Sequence, residues 1–323
     1  MKVLISDKMS SLAVKVLDRY KDKGLTYDVK TGLAPEALAE IIGEYDGLII
    51  RSASKITADI LAKAANLKII ARAGEGVDNV DIPAASEKGV YVTNTPGQNT
   101  VTTAEHAIAM MMALTRKIPL GTSTMKAGLW EKNKLEGREV FRKTLGVVGL
   151  GKVGRIVADR ARGLRMNVIA YDTMPVSEET VKELGCEMVS LDELYARADY
   201  ITIHVPKNAG TLNLINRDAF AKMKDGVFII QCARGGIVNE DDLYDALTSG
   251  KVSGAALDVF VVEPPPADHK LLKLDNVIAT PHLGASTKEA QENVAVAAAE
   301  QVAEYLTGGE LRNALNRDKV KKG

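Results

Sequence analysis

Short apolar runs rich in Val and Ile alternate along this chain with longer segments whose apolar positions recur every three to four residues. The first pattern suits a strand covered on both faces and the second an amphipathic helix, so the alternation predicts α/β architecture with mostly parallel sheets. Strands are predicted first at 3–6, 25–29, 47–51, 67–71 and 90–93, with helices at 11–20, 35–42 and 57–64 between them. Pro35 fits a first helical turn, where its missing N–H needs no partner, and Thr57 can cap the helix that follows it. The stretch N-T-P-G-Q-N at 94–99 reads as a loop or hinge and marks a domain boundary. A strongly apolar helix at 100–116 comes next, and its run Met110, Met111, Met112 fits a core or a subunit interface. A second series of strands is predicted at 145–148, 167–171, 200–203, 227–231, 253–257 and 277–279. The last helix, 287–306, lies beyond that series and is expected to return to the first domain, and the closing K-V-K-K-G reads as a frayed, solvated end.

The length of 323 residues supports two cores rather than one. With 46% apolar and 26% charged residues the chain is of globular type, and 42 basic against 42 acidic side chains leave no bulk field to draw it to nucleic acid. The opening M-K-V-L-I-S is too short for a signal peptide and no segment approaches the roughly 20 apolar residues of a membrane span, so a cytoplasmic location is expected. The only cysteines, Cys186 and Cys232, offer neither a disulfide framework nor a thiolate metal site, so no metal is expected and any redox chemistry falls to a bound cofactor.

One motif supplies that cofactor. Gly149, Gly151 and Gly154 form G-x-G-x-x-G, preceded by an apolar strand and followed by an amphipathic helix at 152–164. In that context the first glycine permits a tight turn, the second lets backbone approach a pyrophosphate and the third lets helix pack on strand, with phosphate oxygens at the positive end of the helix dipole. The next strand ends at Asp172, placed for the ribose hydroxyls, and no arginine immediately follows it to receive a 2′-phosphate. These residues predict a dinucleotide site that favours NAD over NADP.

Ligands of open α/β sheets lie outside the carboxyl ends of the strands. Three consecutive predicted strands deliver Arg234 in C-A-R-G-G, Asp258 and Glu263 in D-V-F-V-V-E-P-P-P, and His282 in T-P-H-L-G to that edge. An imidazole can accept an alcohol proton, a guanidinium can hold a carboxylate, and an adjacent carboxylate favours imidazolium and fixes the ring. Arg, Glu and His together are therefore a candidate constellation for hydride exchange with a hydroxy acid. Of the other histidines, His106 reads as a satisfied interior or interface residue, His269 as an exposed loop residue, and His204 as a strand-end residue with a structural role at least as plausible as a functional one.

The motifs R-S-A-S-K-I-T at Arg51, A-R-A-G-E-G-V-D-N-V-D at Ala71, G-L-G-K-V-G at Gly149, C-A-R-G-G-I-V-N-E at Cys232, A-L-D-V-F-V-V-E-P-P at Ala256 and P-H-L-G-A-S-T-K-E-A at Pro281 resemble the D-isomer-specific 2-hydroxy acid dehydrogenase family. The resemblance covers nearly the whole chain. It implies two doubly wound parallel-sheet domains, a flavodoxin-like substrate domain at 1–97 plus 286–323 and a Rossmann NAD-binding domain at 98–285. It also implies that Arg234 holds the substrate carboxylate and carbonyl, that His282 is the acid and base, and that Glu263 pairs with the imidazole. Cofactor contacts are implied for Lys152, Val153, Asp172, Val205, Pro206, Cys232, Ala233, Arg234, Asp258, His282, Gly284 and Ala285. Substrate contacts are implied for Arg51, Ser52, Gly74, Glu75, Gly76, Asn99, Arg234 and His282. A phosphorylated hydroxy acid is the expected substrate, with Arg51 on the phosphate and Lys132 or Lys134 reaching in from a partner subunit of a homodimer or homotetramer that pairs through the helical region 100–126.

Two positions depart from the family pattern. Glu75 stands where a small or hydroxyl residue is usual, and Val205 where threonine is common. The sequence as given leaves no room for a C-terminal regulatory domain, so feedback through one is not expected. A reductase of glyoxylate or hydroxypyruvate within the family is the alternative enzyme, and an NAD-sensing corepressor is the alternative outside catalysis. L-lactate and malate dehydrogenases are disfavoured because they open on their dinucleotide fold, whereas here Gly149 follows a whole preceding domain.

Overall fold

The computed structural model describes residues 1–320; the end of the K-V-K-K-G segment lies outside the described residues. The chain divides into two compact units, Met1–Asn99 with Ala285–Gly323, and Thr100–Gly284.

The first unit holds a five-stranded sheet of β1 (Lys2–Ile5), β2 (Thr26–Val29), β3 (Gly47–Ile50), β4 (Ile69–Arg72) and β5 (Tyr91–Thr93). The strands are parallel in the order β2-β1-β3-β4-β5, the flavodoxin-like winding. Helix Pro35–Ile41 starts on its proline, whereas Thr57 occupies the N-cap position of helix Ala58–Lys63 without a side-chain capping bond. The long helix Lys288–Leu306 lies on β3 and β4, and its Ala295, Ala298, Ala299 and Val302 are buried against Val3, Ile5, Ile49 and Ile69. Its alanine-rich face lets it approach the sheet closely. A side chain at Gly47 would collide with Val302, since its Cβ would come within 2.7 Å of that residue.

The second unit holds β6 (Thr144–Val148), β7 (Asn167–Tyr171), β8 (Glu187–Met188), β9 (Tyr200–Ile203), β10 (Val227–Gln231), β11 (Val252–Leu257) and β12 (Val277–Ala279). All pair in parallel in the order β12-β11-β10-β9-β6-β7-β8. Strand order reverses between β6 and β9, which opens the ligand crevice at their carboxyl ends. The methionine-rich helix Thr100–Thr115 buries Met110 and Met111 in this unit's own core beside Val147, Val157 and Ala256. Strand β8 spans two residues, too few for a periodic pattern to reveal. No helix of the described residues is long and apolar enough to cross a membrane.

Candidate active site

The three glycines of the loop have different surroundings. Gly149 has φ of +95°, and a Cβ there would lie 2.8 Å from the His204 carbonyl oxygen and from Val205. A Cβ on Gly154 would sit 2.0 Å from the Gly149 oxygen, so only glycine lets helix Lys152–Gly163 close against the loop. A Cβ on Gly151 would meet nothing within 4 Å, so the loop is open on that side, above the N-terminal N–H groups of the helix that begins at Lys152 and Val153. Asp172, at the end of β7, accepts from the Leu150 N–H at 2.7 Å and the Met174 N–H at 2.8 Å. That pair of bonds holds a carboxylate beside the glycine loop. Val205 and Pro206 follow β9 on the other side of the crevice. Between them and the strand, His204 bonds Thr202 Oγ1 at 2.8 Å, and desolvation pushes its pKa down to about 4. A neutral imidazole in a structural bond is the result, in keeping with the structural role allowed for it.

This cradle fits NAD: an anion-ready helix start, an open backbone face and a carboxylate for ribose hydroxyls. Two hydrogen bonds from a ribose to Asp172 would become charge repulsion against a 2′-phosphate. NAD is therefore expected to be used in preference to NADP, and Asp172→Ala to narrow that preference by about tenfold, as steady-state kinetics with both cofactors would show. Equal efficiency with NADP in the unaltered protein would contradict the assignment.

The neighbouring strand ends carry the candidate chemistry. After β10 the chain turns sharply. The buried Gln231 spans the turn, its Oε1 accepting from Ala233 N–H at 3.0 Å and its Nε2 donating to the Arg234 carbonyl at 3.1 Å. Arg234 Nη1 donates to the Ala233 carbonyl at 2.7 Å, which orients a half-buried guanidinium. Cys232 is buried, and desolvation together with the Asp258 charge pushes its thiol well up, so it lines the crevice as a neutral group. A Cβ on Gly235 would fall 1.8 Å from the Phe260 carbonyl oxygen. The Arg234 turn thus packs backbone to backbone on the loop that carries Glu263.

Glu263 and His282 meet: Oε2 lies 2.7 Å from Nδ1, and Oε1 accepts from the Phe260 N–H at 3.1 Å. His282 itself sits in the left-handed region, φ +54°, and its N–H reaches the Asp258 and Thr280 carbonyls at 3.0 Å. Asp258 organises this turn from beneath. Its buried carboxylate accepts from Thr280 Oγ1 at 2.6 Å, Leu283 N–H at 2.6 Å and Gly284 N–H at 2.8 Å, with His106 Nε2 at 3.2 Å. Burial alone would raise its pKa. The bonds from His106, Thr280, Leu283 and Gly284 outweigh that and hold it below the ordinary carboxylate value. His106 is accordingly a satisfied interior histidine.

One expectation is corrected. His269 is not an exposed loop residue: its side chain is largely buried, with Nε2 3.1 Å from Glu240 Oε2 and its ring edge-to-face with Phe260 at 5.4 Å. The polar, proline-rich sequence around it gave no sign that Glu240, far back in the chain, would cover it.

In the first unit, Arg51 follows β3. Its backbone N–H donates to Asp7 Oδ2 at 2.6 Å and its Nη1 to the Lys8 carbonyl at 3.1 Å. Desolvation lowers its pKa, partly offset by Asp7, and a guanidinium stays charged regardless. Ser52 and Glu75 are exposed. Gly74 has φ of +145° and exchanges bonds with Thr95, 2.8 Å to Oγ1 and 3.0 Å from its own oxygen, while Asn94 Nδ2 holds the Glu75 carbonyl at 2.7 Å. Gly76 continues that pinned loop, Asn99 closes the first stretch of this unit, and Ala285 opens the second. Among the described residues no group of three or more His, Cys, Asp or Glu could hold a metal ion.

A family model described as D-isomer specific 2-hydroxyacid dehydrogenase, NAD binding domain, matches residues 108–284. The chain belongs to that family. Its second unit is the family's NAD-binding domain. A D-3-phosphoglycerate dehydrogenase of Archaeoglobus fulgidus is 49% identical over 316 residues, which cover 98% of this chain and 59% of that protein. A hydroxypyruvate reductase of Thermotoga maritima is 46% identical over 307 residues, covering 94% of this chain and 98% of that protein. Among solved structures, the TT0316 protein from Thermus thermophilus aligns with a TM-score of 0.88 at 34% identity over 98% of this chain and 100% of that one. The chain spans 56 to 60% of the length of three phosphoglycerate dehydrogenases that it matches.

Within this dehydrogenase family, Arg234 is the candidate for holding the substrate carboxylate. A guanidinium offers a carboxylate two parallel bonds that an ammonium cannot reproduce. Arg234→Lys is expected to raise KM for the hydroxy acid and lower kcat together, by about tenfold in kcat/KM. Unchanged kinetics in that variant would show that the carboxylate is bound elsewhere.

Proposed function

We propose that the chain oxidises 3-phosphoglycerate to 3-phosphohydroxypyruvate with NAD, the reaction that opens serine biosynthesis. The observation that carries the chemistry is the His282 Nδ1 to Glu263 Oε2 bond of 2.7 Å, at the strand edge that also delivers Arg234. With Nδ1–H donated to Glu263, Nε2 is the nitrogen left to meet substrate. His282 Nε2 takes the hydroxyl proton as the carbonyl forms, and Glu263 stabilises the imidazolium that results. Arg234 holds the carboxylate and the developing carbonyl oxygen. The residues from Gly149 to Gly154 and Asp172 would hold NAD, which when bound would supply the acceptor for the hydrogen that leaves carbon with its electron pair.

The phosphate is assigned to Arg51 and its loop, with Ser52, Gly74, Glu75, Gly76 and Asn99 as the further substrate contacts of the first unit. The names of the phosphoglycerate dehydrogenase relatives support this substrate. A homodimer or homotetramer is also proposed. Ile118, Met125, Leu129 and Trp130 expose large apolar surface on and after helix Ile118–Lys126, and a second copy is the partner that would cover it. Of the nearby lysines, Lys132 and Lys134 are both exposed, Lys134 bonding Glu131 at 2.7 Å, and either is proposed to serve a neighbouring subunit.

The second reading, reduction of hydroxypyruvate, is favoured by the Thermotoga maritima relative, which this chain matches over 98% of that protein's length. A comparison of kcat/KM for 3-phosphoglycerate, glycerate, phosphohydroxypyruvate and hydroxypyruvate decides between them. A preference for the phosphorylated members is expected; a preference for glycerate or hydroxypyruvate would favour the reductase.

A further inference from the structure

The segment 259–269 bears Glu263 on its exposed side, and Glu263 touches the rest of its unit through His282 and the Phe260 N–H. What fixes the segment lies underneath. Glu240, in the first turn of helix Glu240–Thr248, uses both carboxylate oxygens on it. Oε1 accepts from the Val261 N–H at 2.7 Å, and Oε2 lies 3.1 Å from His269 Nε2. One side chain thereby ties both ends of the arch. Glu240 and His269 are both mostly buried, at 19% and 14% side-chain exposure, so these bonds are little screened by water. His269 Nδ1 is buried with no partner, which fits the tautomer that carries its proton on Nε2 and donates it to Glu240. The His269 ring in turn packs edge-on against the buried Phe260, whose N–H is the one bonded to Glu263.

We propose that Glu240 and His269 are positioning residues for the reaction: together they clamp the arch so that Glu263 is held on His282 Nδ1. Neither touches substrate. Glu240 sets the position of Val261, two residues before Glu263, and His269 closes the far end of the arch. Carboxylate and imidazole must keep hydrogen-bond distance for the ring to present Nε2 in a single orientation, and a displacement of about 1 Å at such a pair is enough to cost substantial rate.

The proposal rests on Glu263 and His282 acting as the acid–base pair, so the test begins with Glu263→Gln alone and continues as a double-mutant cycle. Glu240→Ala is expected to lower kcat about tenfold with KM for NAD unchanged, and Glu240→Gln, which keeps an acceptor for Val261, to recover most of the loss. In the Glu263→Gln background the same Glu240→Ala change is expected to cost less than about twofold, because a glutamine has one acceptor oxygen for the Phe260 N–H and the His282 Nδ1–H and no charge to stabilise an imidazolium, so the pair that the clamp protects is already lost. If Glu240→Ala fails to fold, the cycle is read on His269→Phe, which keeps the ring on Phe260 and removes only the bond to Glu240. Full tenfold losses in both backgrounds, or no loss in either, would overturn the clamp. Wild-type kcat in Glu263→Gln alone would instead overturn the acid–base reading itself.

Discussion

Replacing His282 with alanine is expected to lower kcat by about a hundredfold or more while NAD binding survives. The geometry separates the two effects. His282 holds its place through its backbone, with the N–H bonded to the Asp258 and Thr280 carbonyls at 3.0 Å, and the loop beyond it is pinned by the bonds of Leu283 and Gly284 to the Asp258 carboxylate. Removing the imidazole therefore leaves the turn and the glycine loop in place and takes away the group proposed to receive the hydroxyl proton. Because φ at this position is +54°, alanine adds some backbone strain. His282→Asn is the companion variant, since asparagine tolerates the left-handed region. Equal losses in the two variants would mark the effect as chemical. Near-normal turnover in either would remove His282 from the mechanism.

Arg51→Ala is expected to cost about ten- to a hundredfold in kcat/KM for 3-phosphoglycerate and to leave glycerate almost untouched. The scale follows from charge-assisted hydrogen bonds to a phosphate, worth on the order of 1.5 to 3 kcal/mol each. The guanidinium gives one bond to the Lys8 carbonyl, but the loop has several ties besides it. Asp7 holds the Arg51 and Ser54 N–H groups at 2.6 and 3.1 Å, and Asn79 Nδ2 holds the Arg51 and Ser54 carbonyls at 2.7 and 2.6 Å. Steady-state kinetics on both substrates read the difference, and equal losses on the two would defeat the phosphate assignment.

Features legible in the sequence are those imposed by backbone or by period. The strands at 167–171, 200–203, 227–231 and 277–279 have the predicted bounds, because each is a compact apolar run fenced by polar residues. The glycine fingerprint was legible because Gly149 and Gly154 answer steric demands that any side chain would violate, as the 2.0 Å approach at Gly154 shows, while Gly151 leaves the backbone open where a pyrophosphate would lie. Asp172 was legible from its place at the end of the next strand.

Features that depend on pairing across elements were not legible. Nothing local to His269 announces that Glu240 will bury it, and nothing local to Gln231 shows that its amide spans the Arg234 turn. Asp258 stood out as a cofactor contact near the reacting edge. Its observed bonds to Thr280, Leu283 and Gly284 add the task of shaping the turn that presents His282, which only the folded register of β11 beside β12 creates. Gly235 was likewise one glycine among many until Phe260 was seen to lie against it.

The proposed reaction takes hydrogen from the hydroxyl-bearing carbon of a phosphorylated D-2-hydroxy acid. Its most direct test uses 3-phospho-D-glycerate deuterated at that carbon, with NAD and a carbonyl trap, followed by mass analysis of the reduced cofactor. One deuterium is expected in each NADH formed, none from the L isomer treated alike, and far slower transfer from deuterated glycerate. Cofactor reduced without deuterium, or labelled equally from both isomers, would contradict it.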